Sequence, residues 1–512
     1  MRLSFLLGTV VLGATVPVLA CGSDCEEKQT CGVGPTPVDG GVLDGGGDGQ
    51  VPAPPGCDES ADPKDAPKCV VNEYGVFVDG TSGSDTNAGT KESPLKSITA
   101  ALGKLGGKPR VYICGVGPYA ESVKLTSAVS LYGGFACGGW SHDGAKSKVS
   151  PSGPGYALQV ENAAKGVVVS DLELEAKDAE AAGGSSIAVF LSRASQVTLR
   201  RAKVVAGAGK GGTDGSAQGD FTPANAPDGT DGAAGGGATA NPSCPTSIGG
   251  AGGKDGAING GAGQVAVVPE YPTGNTGAGG TGGGNCNAGG GGTDGSYGAA
   301  GAAGAGASTL GTLDATGWKG ADGAPGGAGG NGQGGGGGAQ RNAGGVGGSG
   351  GPGGCGGAGG APGTAGGSSI AVLAFESTLL VEQSSLSAKD AGRGGNGAKG
   401  QKGQLMGNVG VKNGANACDG GFGGIGGSGG GGGGGAGGIS AGILYKGPAP
   451  TIDGASLASA DTHASVTVGA AGAGGGKGAG GDAAQTSAPA SRAGQEGTAG
   501  AEGVAKAVMS AP

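Results

Sequence analysis

Glycine decides what this chain can build. It fills 134 of 512 positions, and with 26 prolines it makes up nearly a third of the sequence, the range of low-complexity chains. Aromatic residues are only 3% and much of the nominal apolar content is alanine, so the side chains needed to fill one large core are missing. A collagen-like helix is excluded too, because runs such as Gly431 to Gly435 break any strict Gly-X-Y period. Beyond the N-terminal segment no stretch holds 18 consecutive apolar residues, so no membrane-spanning helix is expected. A net charge of −9 argues against nucleic acid as a partner.

Residues 1–20 carry one positive charge, Arg2, followed by an apolar run, and read as a secretory signal peptide. The run ends Val18-Leu19-Ala20-Cys21. This resembles the lipobox of bacterial lipoproteins, with Val18 in place of the more usual leucine. The resemblance implies that Cys21 is diacylated and becomes the mature N-terminus, an anchor in the membrane. Gly22 rather than Asp after the cysteine implies the outer membrane, with the body at the cell surface or on its periplasmic face. An ordinary secretory signal with Cys21 in a disulfide is the alternative.

Eleven cysteines suit an oxidising compartment. With Cys21 set aside, neighbours in sequence would pair as Cys25–Cys31, Cys57–Cys69, Cys114–Cys137, Cys244–Cys286 and Cys355–Cys418, although spacing alone does not fix connectivity. Zinc is disfavoured by two histidines and no C-x-x-C. No cofactor is expected.

Residues 21–69 are rich in Gly, Pro and acidic residues and read as a solvated tether. From residue 70 the texture becomes β-like. Val76–Val78, Val111–Ile113 and Val129–Tyr132 are short strand-type runs, and Ser93-Pro94 followed by Leu95, Ile98, Leu102 and Leu105 predicts a helix over 94–105. The run from Val76 through Asp79-Gly-Thr-Ser-Gly-Ser-Asp-Thr-Asn-Ala-Gly89, then Ser93 to Leu102, Arg110 to Ile113 and Val129 to Phe135, resembles the uncharacterised domain that opens many bacterial pectate-lyase-like parallel β-helices. It covers residues 70–145 and implies a fold, with the helix capping one end, but no activity.

An internal repeat points the same way. Ala157–Val160, Val167–Val169 and Leu172–Leu174 recur as Ile187–Phe190, Val197–Leu199 and Ala202–Val204. Gly366 to Val372 copies Gly183 to Val189 letter for letter, followed by Leu379–Val381 and Leu386; a fourth copy runs Ile439–Leu444, Ile452 and Leu457. One such unit cannot bury its apolar face alone, so the copies must stack. The fold class expected is all-β: a single-stranded parallel β-helix, or solenoid, with a short N-terminal capping helix and long glycine-rich insertions. Its parts are 70–206, 368–390 and 439–468; 207–367 and 391–438 are the insertions and 469–512 a Gly/Ala-rich tail. Lengthening one connection to about 160 residues adds only ~1.5 kcal/mol of closure entropy. The insertions resemble, in composition, glycine-rich repeat proteins of the PGRS type and the arms of myxobacterial β-helix lipoproteins. A hydrated brush is the simpler expectation for them, and extended three-per-turn helices packed side by side the alternative.

Catalytic motifs in such a sequence need their structural context. Gly426 to Gly430 and Gly347 to Gly351 match G-x-S-x-G but lie between no strand and helix. Calcium could use the oxygens of Asp79, Asp85 and Asn87, or Gly289 to Asp294, although Asx turns explain the first set. The densest acids are Asp171, Glu173, Glu175, Asp178 and Glu180; Lys203 falls opposite Glu173, which makes this a solvated, salt-bridged face, and Arg193, Arg200 and Arg201 are expected to be surface charges. Two carboxylates from adjacent strands lining one groove would instead favour a polysaccharide lyase or hydrolase. The function expected is thus a non-enzymatic, lipid-anchored surface protein with a structural, adhesive or matrix-contact role, with polysaccharide or other surface proteins as partners. A carbohydrate-active enzyme or glycan-binding module, and a calcium-dependent surface-layer component, are the alternatives.

Overall fold

The fold is taken from a computed structural model, which describes residues 50–264, 277–283, 285–485 and 492–511. Cys21, Cys25, Cys31 and the signal segment lie outside them.

Short apolar runs between turn residues form short strands, several of which bury alternate side chains, as Leu172–Glu175 and Leu379–Glu382 do. The first sheet runs, in spatial order, β1 (Gly75–Asp79), β2 (Arg110–Cys114), β4 (Ser130–Phe135), β7 (Val167–Ser170), β10 (Val197–Arg200), β15 (Leu379–Glu382) and β18 (Thr451–Ile452), closed by an antiparallel β19 (Ala455–Ser456). A second holds β5 (Ser147–Val149), β8 (Leu172–Glu175), β11 (Lys203–Val205), β16 (Ser385–Ser387) and β20 (Val466–Thr467). The third holds β3 (Val123–Leu125), β6 (Leu158–Glu161), β9 (Ser186–Ser192), β14 (Ser369–Phe375), β17 (Ser440–Lys446) and β21 (Ala505–Ser510). Apart from β18–β19, the pairings in these sheets are parallel. The chain is therefore all-β in class, and from β6 to β11 successive strands go to the third, first and second sheet in turn.

The repeat sets the register. Val197 pairs with Val167 and Val204 with Leu174, as the alignment requires, whereas Val189 pairs with Leu158, one residue out of it. The cause is a corner: 162–166, between β6 and β7, holds one residue more than 193–196, between β9 and β10. These corners turn on single residues in the left-handed region, which non-glycine residues seldom occupy. Asn162, Arg193 and Glu376 follow third-sheet strands, and Asp171, Arg201, Gln383 and Asp453 follow first-sheet strands, all with φ between 46° and 54°. Each row stacks one corner over the next, and Asp171, Arg201, Arg193 and Glu376 each donate their backbone N–H to the neighbouring strand.

Inside the three sheets lies one core that includes Val76, Leu95, Leu131, Val169, Leu199, Val381 and Val508, all at most 1% exposed. β9 and β14 are buried along their whole length, as strands covered on both faces are. Their outer side chains Ile187, Phe190, Ile370 and Leu373 pack beneath a hairpin of β12 (Gly311–Asp314) and β13 (Gly317–Gly320). The expected helix is shorter than its periodicity suggests: α1 is Ile98–Leu102, capped by Ser97 rather than Ser93, because Leu95 is drawn into a bridge with Val78. It packs on β1, β2 and β3.

Two expected boundaries move. Residues 50–69 are packed against the body: Val51 donates to the Gly107 carbonyl and Asp62 is buried. Within 469–512, β21 pairs along β17, with Ala507 and Val508 buried. The fourth repeat closes its second-sheet position with Val466, not Leu457.

The glycine-rich segments 207–367, 391–438 and 469–503 each join a second-sheet strand to a third-sheet strand, so they leave the sheets at one corner. Their described residues form a hydrogen-bonded bundle, the side-by-side packing of extended segments, rather than a brush. The segment 419–438 shows the design, with hydrogen bonds at every third residue in six directions. Gly424, Gly427 and Gly430 donate to Gln333, Gly330 and Gly327; Gly429, Gly432 and Gly435 to Gln401, Ala398 and Gly395; Gly431, Gly434 and Gly437 to Gln495, Thr498 and Ala501. Its carbonyls accept from three further segments: at Gly427 from Gly357, at Ser428 from Gly301 and at Gly432 from Gly478. A backbone with three residues per turn presents its polar groups in this threefold way. Glycine is needed here for room. Gly427 has no positive φ, yet a Cβ on it would lie 1.8 Å from the Ala299 carbonyl oxygen, and one on Gly348 1.7 Å from that of Gly410. At outer segments acidic and amide side chains cap free N–H groups, as Asp294 does for Phe422, Asp390 for Ala470 and Asn396 for Gly476.

Candidate functional site

The corner after the first sheet gathers the densest charge. Arg201 grips Asp171 with two hydrogen bonds, from Nε at 2.9 Å and from an η nitrogen at 2.6 Å, and the latter nitrogen also reaches Asp62 at 2.5 Å and the Ser170 hydroxyl at 2.7 Å. His142 Nε2 lies 3.3 Å from the same Asp171 carboxylate. The Asp171 and Asp62 side chains are only 4% and 8% exposed, so both carboxylates depend on this pairing. Arg200 extends the network to Glu382 at 2.7 Å. Asp62 came from the segment read as tether; its nearness to the bonded pair Cys57–Cys69 was the one sign that it belongs to the body.

An open groove of about 650 Å³ runs beside this cluster, lined by Asp62, Asp65, Arg200, Arg201, Glu382 and Asp453. Glu382 ends β15 and Asp453 follows the adjacent β18, the juxtaposition that would favour an enzyme. Each is already engaged: Glu382 by Arg200, and Asp453 by the Gln383 N–H at 2.8 Å. A glycoside hydrolase also needs one carboxyl held protonated. The shifted acid of the cluster goes the other way. Burial pushes the Asp171 carboxyl up, but hydrogen bonds from Arg201, Ser170 and His142 outweigh it and hold it below the usual aspartate range.

That shift has a pH consequence. A lowered folded value means that stability from Asp171 is fully present above the unfolded aspartate value of about 3.9 and is lost as pH falls through the folded one. Acid titration of the melting temperature should therefore drop more steeply below about pH 4 in the native chain than in Asp171→Asn. Parallel titration curves would contradict this.

The acid-rich face is a salt-bridged surface. Lys203 sits 3.3 Å from Glu173, on the neighbouring strand, as the repeat alignment places it, and Lys148 on the other side reaches Glu173 at 3.4 Å and Glu175 more closely. Asp178 pairs with Lys389 at 2.9 Å. Arg193 pairs with Glu376 at 3.2 Å on the exposed surface; Arg200 and Arg201, by contrast, are partly buried.

The calcium candidates are each engaged by the loop that carries them or by the segment it folds against. Asp79 accepts the N–H groups of Thr81 and Ser82; Asp85 accepts those of Lys96 and Ser97 at 3.0 and 2.8 Å; the Asn87 side chain donates to the Pro94 carbonyl. These side chains fasten the loop before α1. Asp85→Ala should destabilise by about 1 kcal/mol, while millimolar calcium should leave the melting temperature of the native chain in place. A rise of several degrees with calcium would contradict the reading. Ser349 and Ser428 are fully buried, with their hydroxyls on backbone groups, and are no nucleophiles.

Cys57–Cys69 and Cys114–Cys137 are bonded as neighbours in sequence. The arm cysteines are not: the bonds are Cys244–Cys355 and Cys286–Cys418, with Cα atoms 5.7 and 5.3 Å apart. In the bundle, neighbours in space are distant in sequence, so pairing by proximity along the chain fails there. Among the described residues no helix is long and apolar enough to cross a membrane. No protein-family model, curated protein or solved structure matches the chain.

Proposed function

We propose that this chain is a non-enzymatic cell-surface protein, anchored through a lipid on Cys21 to the outer membrane, in which a single-stranded parallel β-helix carries a rigid glycine bundle for adhesive or matrix contact. The observation that carries the reading is the six-sided hydrogen bonding of segment 419–438. Nearly all of its backbone polar groups are spent on neighbouring segments, which suits a stiff display element. The turn-by-turn passage of the strands through three sheets supports the solenoid, with α1 at one end and β18 to β21 at the other.

Two measurements test it. Labelling with an alkyne fatty acid should mark the native chain and leave Cys21→Ser unmarked. Cells displaying the native chain should adhere to a polysaccharide-coated surface better than cells displaying Gly427→Val, in which the bundle is disrupted; equal adhesion at equal surface amounts would overturn the adhesive role. The groove holding Glu382 and Asp453 favours a second reading, a carbohydrate-active enzyme. A polysaccharide-degradation screen separates the two: reproducible cleavage of any polymer would establish the second.

A further inference from the structure

A second groove, of about 620 Å³ and open to solvent, lies where the glycine bundle meets the third sheet. Its floor is aromatic and aliphatic. Tyr156 lies against Phe190 with ring centroids 5.2 Å apart, and Trp318, carried in by β13, packs on the same outer cluster beside Ile187. Its rim is polar: Thr213, Lys319, Asp322 and Thr364.

Three features of this groove remain unexplained by the fold. The Trp318 indole N–H is buried and meets no acceptor among the described residues, a state that costs about 1–3 kcal/mol. Lys319 is exposed and forms no ion pair among the described residues. Asp322 uses one oxygen, Oδ1, to accept the Ala365 N–H at 2.7 Å, leaving the other free. A free cation, a free carboxylate oxygen and two aromatic rings thus line one cavity of small-molecule size, with the buried indole N–H inside its wall.

We infer that this groove is a binding site for a neutral saccharide. The opposite charges of Lys319 and Asp322 cancel, which disfavours phosphate or a polyanion. Ring hydroxyls both donate and accept, so they suit the ammonium and the carboxylate together. The apolar faces of sugar rings suit Tyr156 and Trp318, side chains with an apolar body and a polar tip. The inference deepens the adhesive reading and rests on it for its use in the cell, but binding itself is measured without it.

The test is calorimetric titration of the full chain in detergent micelles with cellohexaose, chitohexaose, maltohexaose and mannohexaose, and with polygalacturonate as an anionic probe. At least one neutral oligosaccharide should bind saturably. Trp318→Ala, which removes the ring from the floor, should weaken that binding by about tenfold or more. Should Trp318→Ala fail to fold, Lys319→Met and Asp322→Asn at the rim take its place with the same expected loss. No binding of any neutral probe at millimolar concentration, binding indifferent to these substitutions, or binding of polygalacturonate alone would overturn the assignment. Adhesion that persists while saccharide binding is lost would leave the surface role standing and remove only this site.

Discussion

Replacing Gly427 by alanine should destabilise the bundle by about 3 kcal/mol or more, an unusually large effect for adding one methyl group. The new Cβ would sit 1.8 Å from the Ala299 carbonyl oxygen and 2.5 Å from its carbon. Neither side can yield cheaply. Ala299 O accepts the Gly330 N–H at 2.8 Å, and Gly427 itself donates to Gly330 and accepts from Gly357. Moving the carbonyl aside therefore breaks ladder hydrogen bonds, each a net contribution of about 1 kcal/mol. Gly219→Ala is the internal control, because nothing lies within 4 Å of a Cβ there and its φ is not positive. It should be neutral or stabilise by up to about 1 kcal/mol, through the less flexible unfolded chain. Equal melting temperatures for the two variants would mean that segment 419–438 is not packed as described.

The second large effect concerns the cross-links. Cys286–Cys418 closes 132 residues and Cys57–Cys69 only 12. In the chain-entropy view the long loop contributes about 5 kcal/mol and the short one about 3. Replacing Cys286 and Cys418 together by serine should therefore lower stability more than the same change at Cys57 and Cys69. The loss should appear first as protease cutting in the arms around Cys286 and Cys418, with the parallel sheets still intact. A larger loss from the short pair would contradict this ranking.

Much of the β architecture was legible because its signals are local and periodic. Leu172-Glu173-Leu174 and Ala202-Lys203-Val204 told which side chains face inward, and the same alignment placed Lys203 beside Glu173. Gly183 to Val189 and Gly366 to Val372 gave the register of β9 and β14 across 183 residues. What escaped had non-local causes. The β6–β9 register shifted by one because corner lengths differ, and no propensity reports that. Side-by-side extended helices stood only as the alternative to a brush, because every third glycine is specified by a carbonyl on another segment, as at Gly427 and Ala299. The arm disulfides were mispaired for the same reason. The hairpin carrying Trp318 lay inside a glycine-rich stretch, where Leu310, Leu313 and Trp318 are the apolar residues that could have marked it. Asp62 was missed because acidic, proline-rich sequence reads as solvated, whereas Arg201 holds it buried.

Amide hydrogen exchange of segment 419–438 tests most directly that the glycine-rich arms are an ordered, six-sided bundle. Gly427, Gly430, Gly432 and Gly435 each donate to a backbone carbonyl and are buried, so their amides should stay protected for times comparable with those of β9 and β14. Exchange of these glycines at the rate of an unstructured chain, with β9 and β14 still protected, would show that the bundle does not form and would remove the basis of the proposed surface role.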